Sequence, residues 1–417
     1  MTLPLPRLVV AFLVAFLAPV MARGEQPPTF KKIVLTEKFH AEGAAFADID
    51  RDGKNDVIYG PFWYAGPDFA TPHPIYPAQD HDPKGYSQNF VTGIADADGD
   101  GWLDAWVVSF PGAPGHWFRN PGKDGLAAGS PWEKHMIHQT IDNESPTVVD
   151  VTGDAKPELV FHTGGILGHA SPGEKPTDRW TFRQCSEGGV GGQYTHGLGV
   201  GDVNGDGRRD FLMAGGWWEQ PAEPGAVWKK HAHPFGGGGA QMHTYDVDGD
   251  GDNDVITSLN GHGYGLSWFE HVKKDGTIQF VEHAILPRDP KGSLDGVQFS
   301  QLHAVEVADI DGDGLKDIVT GKRFWAHGPA GDPEPNSTPV LYWFQLKRSA
   351  DKSVDFIPHL IDDASGTGVE VKATDYNGDG KPDILVGNKR GVFVFTHSAK
   401  TVTQAEWEAA QPKPIVP

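Results

Sequence analysis

Four histidines, His196, His243, His262 and His303, fall in neighbouring stretches of the chain, and the residue types around them can do chemistry. Neutral imidazoles bind zinc-like metals two or three at a time, and a single one can act as a general base near neutral pH. The residues leave both uses open. His196, His243 and His303, with Lys322 and Arg323, form the candidate catalytic set. Trp217, Trp218 and Trp325 offer flat apolar faces for a sugar ring. Glu219, Gln241, His262, His327, Glu370 and Lys372 offer hydrogen bonds to its hydroxyls or to a carboxylate. The ligand expected from these types is a small carbohydrate or glycan, with one zinc-like ion at the histidines.

A second chemistry is written in a repeated acidic phrase. Its six near-intact copies place Asp48, Asp50, Asp52 and Asp56; Asp96, Asp98, Asp100 and Asp104; Asp202, Asn204, Asp206 and Asp210; Asp246, Asp248, Asp250 and Asp254; Asp309, Asp311, Asp313 and Asp317; and Asp375, Asn377, Asp379 and Asp383. Oxygen ligands at positions 1, 3 and 5, a glycine at 6 and an aspartate closing the cage at 9 suit calcium. About six structural calcium ions are expected. A seventh copy, Asp150 to Glu158, keeps the frame but has Thr152 and Ala155 where a ligand and the glycine should stand.

The elements that would position these groups follow from the repeat. Each acidic loop lies between two short apolar runs, such as Ala304–Val307 and Ile318–Thr320, and so reads as a hairpin connection. Copies 44 to 66 residues apart fit one four-stranded antiparallel blade each. The predicted fold is all-β: a seven-bladed β-propeller with calcium-binding hairpin loops, its ring closed by the N-terminal strand around Phe30 and Ile33, which pairs with Gly391–Phe395. A strand rises about 3.3 Å per residue, so residues six before the first aspartate lie roughly 20 Å away, on the opposite face. That rim collects the candidate residues above, together with Glu42 and Glu144. His135, His231, His283 and His359 occupy the outer strand and read as blade packing. The Pro/Gly-rich insertions, among them 65–83 and 328–339, read as surface excursions.

Composition bounds the rest. Arg7 followed by Leu8–Ala18 reads as a secretory signal over 1–22, too short to span a bilayer. The propeller then covers 23–400 and a tail 401–417. A single cysteine, Cys185, excludes a disulfide framework. The protein is expected to be secreted, periplasmic or extracellular, with no membrane anchor. The net charge of −21 lies largely in the acidic loops, and no basic run offers a footprint for nucleic acid. No motif supports Ser/His/Asp hydrolysis, nucleotide binding or thiol catalysis.

The acidic loops resemble the FG-GAP or VCBS repeat class, propellers found in integrin α-chain heads and many secreted bacterial proteins. The resemblance implies a structural cation that staples blade strands, and a protein partner is one use of such modules. More narrowly, Thr195–Gly199, Gly239–His243, Asn260–Gly265 and Lys322–His327 are similar to the propeller domain of aldos-2-ulose dehydratases. That similarity implies a metal-assisted lyase removing water from a ketosugar, with a histidine or carboxylate taking the proton α to a carbonyl. The alternative expectation is a non-catalytic glycan- or protein-binding propeller.

Overall fold

The computed structural model describes residues 28–399, apart from 176 and 350; the expected signal segment and tail lie outside the described residues. Among the described residues, 28 strands accompany one short helix, Gly122–Ala128. The strands run antiparallel as successive four-stranded meanders, the architecture of a β-propeller.

Within each meander the second strand is the most apolar. Asp254–Ser258, Asp317–Gly321 and Asp383–Asn388 are buried at every position. A strand buried on both faces needs a cover on each side, and the adjacent blades provide it. One core cluster shows how: Ile256 and Trp268 of one meander pack with Val305, Ile318 and Phe344 of the next. A further device repeats between the third and fourth strands, where an aromatic ring lies flat on a histidine. Trp63 stacks on His73, Trp217 on His231, Trp268 on His283 and Trp343 on His359, with ring centroids 4.1–4.3 Å apart. Trp117 meets His135 at 4.6 Å, with the rings tilted by 30°. These pairs sit directly opposite each other in the strand register.

The ring closes through its termini. Pro28–Thr36 pairs antiparallel with Gly391–Ala399, Ile33 opposite Val394, so the first strand is the outermost of the last sheet.

The expectation of seven separate blades is corrected. Five four-stranded sheets stand by themselves, and eight strands form one continuous sheet. The join is a parallel pairing of the inner strands Leu198–Gly201 and Gln241–Tyr245, with Gly199 opposite Met242. A side chain at Gly199 would place its Cβ 2.1 Å from the Met242 carbonyl oxygen, so only glycine lets the two backbones meet there.

Candidate functional site

The acidic hairpins all leave the inner strands at one end of the ring. The segments that enter those strands lie at the other end, and they carry the histidines. His196 precedes the inner strand Leu198–Gly201, His303 precedes Val305–Ala308, and Glu144 precedes Thr147–Val149. His262 joins them from the loop after the buried second strand Asp254–Ser258.

These four side chains converge. His196 Nε2 lies 3.0 Å from His303 Nε2 and 2.9 Å from His262 Nε2. Glu144 Oε2 is 3.1 Å from His303 Nε2 and 3.4 Å from His196 Nε2. The four ligand atoms lie within 4.8 Å of one another. The rings stand edge to face, at 67–77°. His196 Nδ1 is 2.8 Å from the Tyr194 carbonyl oxygen, to which it must donate, so its Nε2 carries a lone pair. That lone pair faces two other ring nitrogens and a carboxylate. Such a gathering of acceptors asks for a cation between them. Bonds of 2.0–2.1 Å in a tetrahedral zinc site would separate donor atoms by about 3.3 Å, close to the separations here. The donor set therefore fits a zinc-like ion.

The electrostatics agree. Burial would raise the Glu144 carboxyl, but the hydrogen bond and charge of His303, with His196 and Arg323, hold it well below the usual carboxylate range. Burial lowers His303 well below its ordinary value, helped by Arg323, and burial also lowers His196. Imidazoles kept neutral are the form that binds metal.

Cationic groups surround the cluster. Arg323 is buried in an ion pair with Glu42 and stands 3.9 Å from Glu144. Lys322 Nζ donates to Ser300 Oγ at 2.6 Å, and Lys389 Nζ to the Trp325 carbonyl at 2.9 Å. Burial pushes both ammonium groups down to about 8. Lys389 also stands over the Tyr86 ring at 4.5 Å. Trp325, at φ +50°, donates its indole N–H to Asn336.

Several sequence-predicted residues lie elsewhere. His243 sits within an inner strand, its Nε2 2.9 Å from the Val305 carbonyl, and is not one of the converging ligands. Trp217 and Trp218 are buried at 2% and 3%, and Glu219 pairs with His231 at 2.8 Å. They are blade packing, because the second strand of that blade, Asp210–Met213, is only four residues long and the chain has already turned back by Gly216. Gln241 bridges the Val369 carbonyl and the Val305 N–H, and Glu370 binds Lys372 Nζ and the Thr92 N–H. These three brace inner strands to one another rather than joining the cluster.

Asp332 escaped the sequence reading. It lies in the 328–339 insertion, which is not a free excursion: Ser300 and Gln301 donate to the Pro333 carbonyl. Asp332 Oδ1 is 2.8 Å from His327 Nδ1 and 3.4 Å from His262 Nδ1. Burial opposes its ionisation, yet the hydrogen bonds from both histidines hold its carboxyl below the usual range.

At the opposite face, the first aspartate of each loop accepts backbone N–H groups, as Asp246 does from Gly249 and Gly251. The ninth-position aspartate also fastens the hairpin. Asp254 spends one oxygen on the Val247 N–H and the other on the His271 N–H, and Asp317 does the same with Ile310 and Leu346. In the worn loop, Glu158 accepts from the Val151 N–H and from Thr152.

Comparison with known proteins bears on the repeats. The FG-GAP-like repeat family matches residues 96–161 and 246–320, and the FG-GAP repeat family matches 367–399. The chain carries FG-GAP repeats. Among solved structures it is similar to BBS1N in complex with ARL6DN, with a TM-score of 0.51 and 10% identity over 90% of this chain and 98% of that one. It is also similar to the rhamnogalacturonan lyase YesW, with a TM-score of 0.46 and 13% identity over 88% and 75% of the two chains. The exotype rhamnogalacturonan lyase YesX gives 0.46 and 12% over 85% and 71%. At 10% identity the likeness to BBS1N speaks to the fold alone. No curated protein matches the chain. Among the described residues no helix is long and apolar enough to cross a membrane.

Proposed function

We propose that this FG-GAP propeller is a secreted, calcium-stapled protein whose histidine cluster holds one zinc-like ion and serves a lyase or dehydratase reaction on a ketosugar or related carbohydrate. In this reading the eight-stranded sheet counts as two blades that share an inner-strand contact, giving seven. The observation that carries the proposal is the meeting of His196, His262 and His303 Nε2 with the Glu144 carboxylate. A packing role does not require three imidazole nitrogens and a carboxylate aimed at one point.

A divalent cation bound there would polarise a carbonyl oxygen as a Lewis acid. The chain's own groups do the rest. His196 is oriented by the Tyr194 carbonyl, and Arg323, fixed by Glu42, adds positive charge beside Glu144 where an enolate oxygen would gain its charge. Lys322 and Lys389, both buried and with no ion pair to a carboxylate among the described residues, extend that field. The burial of Trp217 and Trp218 weighs against a purely glycan-binding module, since two of the three expected ring platforms are not on the surface.

The test is elemental analysis of the purified protein by plasma mass spectrometry before and after mild chelation. About six calcium ions are expected per chain from the intact loops. One zinc-like ion is expected besides, lost in His303→Ala and His196→Ala and kept in His243→Ala. A protein that holds no transition metal after zinc loading and desalting sinks the enzyme reading.

A further inference from the structure

We propose that His327, held by Asp332, is the proton acceptor of this site, a role that rests on the lyase reading above. His327 is about half exposed, while the Asp332 side chain is nearly buried, at 4%. The contact is two-pronged: His327 Nδ1 lies 2.8 Å from Asp332 Oδ1, and the His327 backbone N–H donates to Oδ2 at 2.9 Å. An ionised carboxylate can only accept, so Nδ1 carries the proton and Nε2 presents its lone pair to solvent. No hydrogen bond to His327 Nε2 forms within the described residues. The ring lies 4.3 Å from that of His262, whose Nε2 belongs to the metal cluster, so the free lone pair opens beside the place where a carbonyl would bind. The remaining imidazoles do not compete. His196 and His303 turn Nε2 into the cluster, and His262 does the same.

The 328–339 insertion exists, in this reading, to deliver Asp332. Its backbone is tied down by Ser300 and Gln301 at Pro333, and Asn336 links the Trp325 indole to the Pro329 carbonyl. Asp332 is a positioning residue. It fixes the tautomer and ring plane of His327 and stabilises the imidazolium that forms on protonation.

The step balances without a further reactant. His327 Nε2 takes the proton from the carbon α to the carbonyl; the C–H electron pair becomes a C=C bond, and the carbonyl π pair moves onto oxygen. As that oxyanion re-forms C=O, the pair shifts to expel the hydroxyl on the β carbon, which receives the proton back from His327 and leaves as water.

Two measurements decide it. Long-range 15N–1H spectra of histidine-labelled, zinc-free protein should show His327 as the neutral Nδ1–H tautomer, and Asp332→Asn should move it toward Nε2–H. An Nε2–H tautomer in the unaltered protein overturns the dyad. Dehydration of D-fructose, D-tagatose and D-psicose by zinc-loaded protein, followed by NMR as the α,β-unsaturated ketone forms and compared with the α-deuterated sugars, reads the proton transfer. His327→Gln should slow it by about 10²–10⁴-fold, with zinc affinity and melting temperature unchanged and with partial rescue by added imidazole. A full dehydration rate in His327→Gln removes His327 from the mechanism and leaves the lyase reading standing. No dehydration of any of the three ketoses by zinc-loaded unaltered protein removes the lyase reading, and the acceptor role with it. Loss of zinc in His327→Gln would make the residue a ligand and overturn the assignment as well.

Discussion

Gly261 shows how narrowly the cluster is built. A Cβ there would lie 2.8 Å from His196 Cδ2 and 3.3 Å from His303 Cδ2, so the backbone of this loop is the floor on which both rings rest. Gly261→Ala should therefore spread the two imidazoles and lower zinc affinity by about 10–100-fold, the scale on which misplaced supports act. Zinc titration with a melting curve separates this from unfolding, because the loop lies outside the blade cores. Lys322 gives a second test at the same scale. Its folded value of about 8 lies below the unfolded value of about 10.4, so the folded state sheds its proton first. The cost of burying the charge is full below pH 8 and is relieved as pH rises toward 10. Stability should climb over that window by up to roughly 3 kcal/mol, and Lys322→Met should flatten the climb in urea melts at pH 7, 8, 9 and 10. His196, His262 and His303 were legible because counting strand lengths places them at one end of the ring. His243 was misplaced by the same counting, since it lies within its strand, and Asp332 left no periodic signal at all.

At the scale of the element, the repeating unit is a hairpin fastened to the third strand by one buried carboxylate. Asp254 joins Val247, in the loop, to His271, on the third strand, and burial pushes its carboxyl up to about 7. Asp254→Ala would leave two N–H groups without a partner. At about 1.5–3 kcal/mol for each bond to a charged group, the loss should be roughly 3–6 kcal/mol in urea unfolding with calcium present. Asp250→Ala, at an exposed position of the same loop, should instead weaken the calcium dependence and leave the calcium-free stability nearly unchanged. The acidic phrase told the position of every hairpin. It did not tell that the ninth residue also caps two backbone donors, because those bonds leave no mark in a list of residue types. The outer histidines read as packing from the sequence, yet Trp217, opposite one of them, reads there as a ligand platform. Cross-strand register, which pairs Trp217 with His231 and Trp268 with His283, is the missing link.

For the whole molecule, the two ends of the ring carry opposite kinds of order. One end is a histidine and lysine site framed by buried contacts. The other gathers acidic hairpins from every blade, within a chain whose net charge is −21. A divalent cation in a loop would offset two of its negative charges and brace its hairpin. Without such cations, like charges crowd around one face and the closure made by Pro28–Thr36 with Gly391–Ala399 must hold the ring against their repulsion. Chelation should then lower the melting temperature, and added sodium chloride should recover part of the loss, because at about 0.1–1 M salt the screening length shrinks from about 10 Å to about 3 Å. Calcium should restore all of it at low salt, where sodium cannot. If chelation leaves the melting temperature unchanged at low ionic strength, the acidic loops are Asx turns held by their own backbone bonds, and the ring stands on blade packing and strand closure alone.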